Sequence, residues 1–246
     1  MGHLTKYFIL TIDLANFDTF YMHFLIFEKV FVSQGFSLRM GKFIIVDGID
    51  GCGKSTISRL LCEALEEKRY SCYLTAEPST GPIGKLIRRY LQNRDEMGQT
   101  LSVDALLFAA DRVEHVTKEV DPNLATHDFV VSDRYTCSSI AYQAVQMNID
   151  HSYEEIQWVE TINKHAPKAD LYLILDIVPE KALARKEDTS DKFETIDFLS
   201  RVRALFLDKD LMGKYAENYI IIPSTGGPEG TLAKVLKTLE NLKWLA

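Results

Sequence analysis

Short apolar blocks alternate with longer amphipathic ones along most of this chain. The blocks at 43–46, 71–76, 129–133, 171–176 and 219–222 are largely apolar on both faces, which predicts strands buried on both sides. Between them, apolar positions recur at helical spacing over 57–68, 82–93, 103–120, 137–147, 152–165, 195–216 and 229–243, and Pro179 opens a shorter helix to about 186. Pro82 reads as the first residue of its helix, and Asp121-Pro122-Asn123 as the stop signal of the 103–120 helix. The polar segment 187–192 has no apolar period and reads as a loop. Strands separated throughout by helices predict an α/β fold, a doubly wound parallel five-stranded sheet with helices on both faces and right-handed crossovers. Ligands of such sheets bind beyond the carboxyl ends of the strands.

Composition narrows the picture. The 246 residues suit one α/β domain, and 46% hydrophobic residues supply a core. A formal charge of −7 argues against a nucleic-acid surface, yet it leaves room for a mononucleotide site, which needs only a few local cations. Cys52, Cys62, Cys72 and Cys137 form no C-x-x-C pair and the histidines are scattered, so no zinc site is expected. Nothing in the spacing demands a disulfide, which fits a reducing cytoplasm. Cys62 reads as a core residue of the first helix, and Cys52 as a small tolerated side chain in a loop rather than a redox group. Residues 1–39 hold seven of the 13 phenylalanines, but Asp13, Asp18 and Glu28 interrupt every apolar run. None reaches the ~20 residues a membrane helix needs, and no basic n-region with a cleavage site frames a signal peptide, so no membrane association is expected. Met40-Gly41-Lys42-Phe43 looks like a natural chain start; residues 1–39 are expected to be an N-terminal extension of unknown role, and 40–246 the domain.

The chemistry begins where the first apolar block ends. Gly48-Ile49-Asp50-Gly51-Cys52-Gly53-Lys54-Ser55-Thr56 is a Gly-x-x-x-x-Gly-Lys-Ser loop between a strand and a helix. In that setting backbone N–H groups and the helix N-terminus can cradle a di- or triphosphate, Lys54 adds a full charge, and the Ser55 hydroxyl can ligate Mg²⁺. Asp133-Arg134-Tyr135 follows the third strand. An acid there can hold Mg²⁺ or its waters, and Arg134 offers a planar fork to a second phosphate. A structural ion pair is the plain alternative. Phe108 and Arg112 are four apart on a helix, a ring and a guanidinium on one face that could read a base or simply pack. Arg185 to Lys192 runs from a helix end into the polar loop, as a lid over a phosphoryl-transfer site would, or as an ordinary solvated loop.

These motifs together resemble those of thymidylate kinase, and the resemblance covers about 41–242. It rests on the phosphate loop with its extra acid Asp50, on Glu77-Pro78 with Gly81-Pro82-Ile83-Gly84-Lys85-Leu86, on Phe108 and Arg112, and on Asp133-Arg134-Tyr135-x-x-Ser138-Ser139-x-Ala141-Tyr142-Gln143. It implies Mg²⁺-dependent transfer of the ATP γ-phosphoryl to dTMP, in dTTP synthesis, by a cytoplasmic homodimer. The resemblance further implies that the loop from Gly48 to Thr56 holds ATP and that Ser55 and Asp133 serve the metal. Asp50 would accept from the acceptor 3′-hydroxyl, and Lys54, Asp50, Arg134 and Arg185 would form the catalytic set. Pro78, Phe108, Arg112, Ser139, Tyr142 and Gln143, with Asp50 and Arg134, would bind dTMP. Tyr135 or Tyr142 would crowd the sugar 2′ position, and 223–227 would border the adenine. Some relatives carry an arginine where this chain has Gly51, which shifts that task to a lid cation, Arg185 before Lys186 or Lys192. Ala76 stands where an arginine is frequent, so the acceptor phosphate leans on Arg134 and a neighbour such as Arg88. Two alternatives remain: a kinase for another (deoxy)nucleotide such as dUMP, and a nucleotide-binding regulator without turnover.

Overall fold

A computed structural model of the chain describes residues 40–92, 101–147, 153–185 and 195–245. The expectation for 1–39 lies outside them, as does most of the 185–194 segment. Five parallel strands form one sheet: β1 (Lys42–Asp47), β2 (Cys72–Ala76), β3 (Phe129–Asp133), β4 (Ala169–Asp176) and β5 (Ala216–Pro223), in the spatial order β2-β3-β1-β4-β5. The chain leaves β1, skips one place to lay down β2, and returns to fill the gap with β3. It then crosses to the other side of β1 for β4 and β5. The direction of winding therefore reverses at β1, and the crevice at its carboxyl end is the ligand site this topology favours. Register brings the strand ends together: Val46 pairs with Asp133 and Leu173, and Ala76 with Asp133.

Phe43, Ile44, Ile45 and Val46 are all 0% exposed, so β1 is covered on both faces. Each such side chain contributes about 1.5–3 kcal/mol of transfer free energy. The cover comes from α1 (Lys54–Glu67), α2 (Pro82–Gln92), α3 (Leu101–His115), α4 (Asp121–Leu124), α5 (Thr136–Gln146), α6 (Tyr153–Ile162), α7 (Pro179–Leu183), α8 (Ile196–Leu207), α9 (Lys209–Met212) and α10 (Gly227–Asn241). Among the described residues no helix is long and apolar enough to cross a membrane.

Three expectations change. The Asp121-Pro122-Asn123 stop does not stop the helix: α3 passes through a π-helical turn, Val116–Val120, into α4. Asp121 N–H bonds to the Val116 carbonyl, and Pro122 then falls in the first turn of α4, where a missing N–H costs little. The 195–216 helix is two helices and a 3₁₀ turn. Asp208 leaves helical geometry and its carboxylate accepts from Asp210 N (3.1 Å) and Leu211 N (3.0 Å), capping α9. Lastly, Cys62 and Cys72 are joined in a disulfide. The sequence spacing hid it, because a tight turn through Arg69 (φ 70°) doubles the chain back and brings the two Cα atoms within 5.4 Å.

Candidate active site

The phosphate loop is built on glycine geometry. Gly51 (φ 82°) and Gly53 (φ 99°) take conformations L-residues avoid, and they turn the chain from β1 into α1. At Gly51 a side chain is closed off twice. Beyond the positive φ, a Cβ there would lie 2.2 Å from the Ala182 carbonyl oxygen of α7. A loop arginine of the kind some relatives carry cannot stand in this packing.

Lys54 is buried and curls over the loop, donating to the carbonyls of Gly48 (3.1 Å) and Ile49 (3.0 Å) and to Asp50 Oδ1 (3.0 Å). Asp50 Oδ1 also accepts from Arg134 Nη2, so one carboxylate gathers the two cations. Arg134 follows β3 with φ 70°, a left-handed backbone that costs a non-glycine residue about 1–2 kcal/mol. Its N–H is tied to the Val46 carbonyl (3.0 Å), which holds the strained residue beside β1. The Tyr142 ring lies 5.2 Å from the Arg134 guanidinium carbon. Cys52 is buried and burial pushes its thiol up, so it stays protonated and unreactive.

Ser55 Oγ donates to Asp133 Oδ2, joining the first residues of α1 to the end of β3. Asp133 Oδ1 is buried with no hydrogen-bond partner among the described residues. The described residues contain no cluster of three or more His, Cys, Asp or Glu able to hold a metal. One hydroxyl plus one carboxylate with an unused oxygen suits Mg²⁺, which keeps waters and substrate phosphates as its other ligands.

These groups line an open cavity of about 550 Å³, bounded by residues 50–57, Asp133, Arg134, Arg185, Ser224, Gly227, Pro228 and Thr231. Arg185 donates from Nη2 to the Ser224 carbonyl (2.9 Å) and, more weakly, from Nη1 to that of Cys52 (3.5 Å). Ser224 Oγ in turn donates to the Cys52 carbonyl (2.8 Å). Arg185 thus stands at the loop; Lys186 and Lys192 lie outside the described residues.

On the other side of Arg134 the acceptor candidates are brought together, with one surprise. Arg112 is 1% exposed, and most of its donors serve the protein. Its Nε (3.0 Å) and Nη2 (2.5 Å) both reach Glu77 Oε2, Nη1 reaches Asn163 Oδ1, and Nη2 also reaches Ser139 Oγ (3.0 Å). Burial works against the charge, and Glu77 together with Tyr135 and Tyr172 more than restores it. Phe108 lies half-buried one turn earlier on α3, and Gln143 is buried with Oε1 unpartnered among the described residues. Pro78 follows Glu77 in the same loop, whose Ser79 is held by Asp111 through N (2.7 Å) and Oγ (2.6 Å).

Two expectations fail here. Tyr135 is 1% exposed, packs edge-on against Phe43 and donates to the Pro167 carbonyl, so only Tyr142 is left to face a sugar. Arg88 folds back to donate to the carbonyls of Pro78 and Ser79, which commits it to the loop rather than to a phosphate. Asp47 is a further site residue, one that none of the motifs singles out. It is fully buried at the end of β1, accepts from Gly48 N (2.9 Å) and Ser138 Oγ (2.7 Å) through Oδ1, and leaves Oδ2 unpartnered among the described residues. An acid closing an apolar strand before a phosphate loop was its available signal.

A family model of thymidylate kinase matches residues 46–234. A probable thymidylate kinase of Pyrobaculum aerophilum is 38% identical over 202 residues, 81% of this chain and 97% of the relative. One from Methanocaldococcus jannaschii is 42% identical over 184 residues, 74% of this chain and 87% of its own length. A third, from Thermococcus onnurineus, is 36% identical over 208 residues, 81% of this chain and 92% of the relative. On the span of that match and the length of these alignments, the chain belongs to the thymidylate kinase family.

Proposed function

We propose that this member of the thymidylate kinase family phosphorylates dTMP across the crevice at β1, with ATP on the phosphate-loop side and dTMP on the Arg112 side. Transfer of a phosphoryl group to dTMP is the activity of the family to which the chain belongs. The observation that carries the two-sided reading is Asp50, which faces Lys54 with one hydrogen bond and Arg134 with another. Cations for donor and acceptor are thereby held at one point.

On this reading the N–H groups of 48–56 and the Lys54 ammonium hold the donor phosphates, and the 223–227 loop borders the adenine. Ser55 and Asp133 would hold Mg²⁺, which supplies charge neutralisation of the phosphates when bound. Arg134 bridges the acceptor phosphate and the transferring group, and Asp50 accepts from the acceptor 3′-hydroxyl. Arg185 stabilises charge on the transferring group, since Gly51 leaves no room for a loop side chain. Phe108 stacks on thymine, Arg112, Ser139 and Gln143 meet its polar edge, and Pro78 and Tyr142 flank the nucleotide. Little covalent work falls to the protein, so rate comes from positioning and preorganised charge.

The reading extends to a homodimer. Val103, Leu106 and Val113 are 43%, 50% and 49% exposed along α3, spaced to share one face, and a second copy presenting the same stripe would cover them. Light scattering of Leu106→Glu, expected to be monomeric, tests it. A cytoplasmic location is inferred from the substrates alone; the Cys62–Cys72 disulfide counts against it, because a reducing cytoplasm keeps thiols unpaired. An ADP-release assay across dTMP, dUMP, dCMP and dGMP tests the substrate: dTMP should turn over best, with residual dUMP, since one methyl is worth ~1–3 kcal/mol. Best turnover with dCMP would overturn the assignment. Lys54→Ala should abolish transfer in a folded protein; retained activity would remove the phosphate loop from the mechanism.

A further inference from the structure

Behind Arg112 lies a chain of buried polar groups that the phosphoryl-transfer reading does not use. Glu77 directly follows β2 at 5% exposure, and Arg112 and His115 sit three apart on α3, each 1% exposed. Glu77 Oε2 takes both bonds from Arg112, while Oε1 faces His115 Nδ1 at 3.3 Å. A carboxylate can only accept, so Nδ1 carries the proton. The far nitrogen, Nε2, lies 2.7 Å from Thr75 Oγ1, and Thr75 is 3.1 Å from Glu119 Oε2. Thr75 lies on β2 and Glu77 one residue past its end, where Glu77 N–H still bonds to the Asp133 carbonyl (3.0 Å), so the two share a face and match the three-residue spacing of Arg112 and His115 on the helix.

Donor counting gives this chain a purpose. A guanidinium has five N–H groups. One on Nε and two on Nη2 go to Glu77 and Ser139, and one on Nη1 goes to Asn163. One Nη1 hydrogen remains without a partner among the described residues. With Glu77 against it, Arg112 is no longer a bare cation seeking a phosphate; it is a neutralised, fixed plane with a single donor to give. That is what recognition of one uncharged carbonyl requires.

We propose that Glu77 and His115 are positioning residues for the acceptor base: His115 Nδ1–H steadies Glu77 Oε1, Glu77 Oε2 fixes the Arg112 plane, and the remaining Nη1 hydrogen is aimed at a ring carbonyl. The inference rests on the reading of Arg112 as the base-contacting arginine. If it holds, disturbing His115 weakens dTMP recognition without touching ATP, and the effect travels only through Arg112.

The test is steady-state kinetics with dTMP and ATP varied separately, alongside thermal melts, on the full chain. Arg112→Met should raise KM for dTMP about a hundredfold and leave KM for ATP unchanged. His115→Leu should raise KM for dTMP about tenfold, and Glu77→Gln by a similar factor, again sparing ATP. His115→Asn carries an amide N–H near the Nδ1 position but cannot reach Thr75 as Nε2 does. It should recover most of the dTMP KM while melting lower, a separation a purely structural role would not produce. In the Arg112→Met background, His115→Leu should add nothing further to KM. An unchanged dTMP KM in Arg112→Met overturns the base-contact reading itself. A normal Arg112→Met result with unchanged KM in Glu77→Gln and His115→Asn, or an undiminished His115→Leu effect in the double variant, overturns the positioning role alone. Should His115→Leu fail to fold, Glu77→Gln and His115→Asn carry the same comparison.

Discussion

Replacing Asp47 with asparagine should make the protein more stable at neutral pH and not at acid pH. Burial raises the Asp47 carboxyl from its ordinary 3.8 to about 6, with Arg134, the Ser138 hydroxyl, Lys54 and the Gly48 N–H working in the opposite direction. Because the folded value lies above the unfolded one, the group's contribution is fully present below about pH 4 and is lost as pH rises through about 6. A shift of roughly two units at ~1.4 kcal/mol each makes the ionised Asp47 cost about 3 kcal/mol at pH 7.5. Asparagine keeps an acceptor for Gly48 N and Ser138 Oγ and removes the charge. It also introduces a buried amide where Oδ2 now has no partner among the described residues, which costs about 1–2 kcal/mol. The net gain at pH 7.5 is then about 1–2 kcal/mol, or roughly 2–8 °C in Tm for a chain of this size. Melting both proteins from pH 4.5 to 8 measures it. The Tm difference should be positive at pH 7.5 and shrink or change sign towards pH 4.5. A difference that does not move with pH would refute the reasoning, because it would mean that Asp47 does not change its charge in that window.

Gly51→Ala combines a positive φ with a Cβ placed 2.2 Å from a backbone oxygen, so either the loop or α7 must shift. A loss of about 2–4 kcal/mol in thermal stability and a drop in kcat of tenfold or more are expected; a protein that melts and turns over normally would show that α7 yields freely. Asp133→Asn should raise the Mg²⁺ concentration for half-maximal rate about tenfold, as loss of one charged contact would, read by magnesium titration at saturating substrates. Cys62→Ser should lower stability by about 2–3 kcal/mol under oxidising conditions, the loop-entropy value for a cross-link spanning ten residues, and the difference should vanish in reductant.

Much of the fold could be read in the chain because its signals are local. The five strands are each apolar enough to stand out, and the 129–133 block coincides with β3. Where reading failed, a distant or unusual backbone event intervened. Pro122 is an ordinary stop signal overridden by a π turn, since the turn puts the proline where no helical N–H is required. Asp208 breaks a helix that the apolar period alone would continue, because its side chain offers the next helix a better cap. The disulfide depended on a left-handed Arg69, which nothing in the spacing of the cysteines reveals.

The site divides along the same line. Its donor half is a backbone device, made of N–H groups and glycines within nine consecutive residues, and a chain must spell such a device out in order. Its acceptor half is made of side chains paired across the fold: Arg134 with Asp50 at a separation of 84 residues, Arg112 with Asn163 at 51, Arg112 with Glu77 at 35. Each partner is unremarkable alone. Arginine on an amphipathic helix usually snorkels to water, and the buried Glu77, with Asn163 and Ser139, turns Arg112 inward. Removing one member of the Arg112–Glu77 pair leaves its partner charged and buried, which costs about 3–5 kcal/mol, whereas removing a loop donor leaves the cradle's other N–H groups in place. The acceptor half should therefore tolerate paired substitutions better than single ones. Arg112→Met with Glu77→Gln should melt higher than Arg112→Met alone.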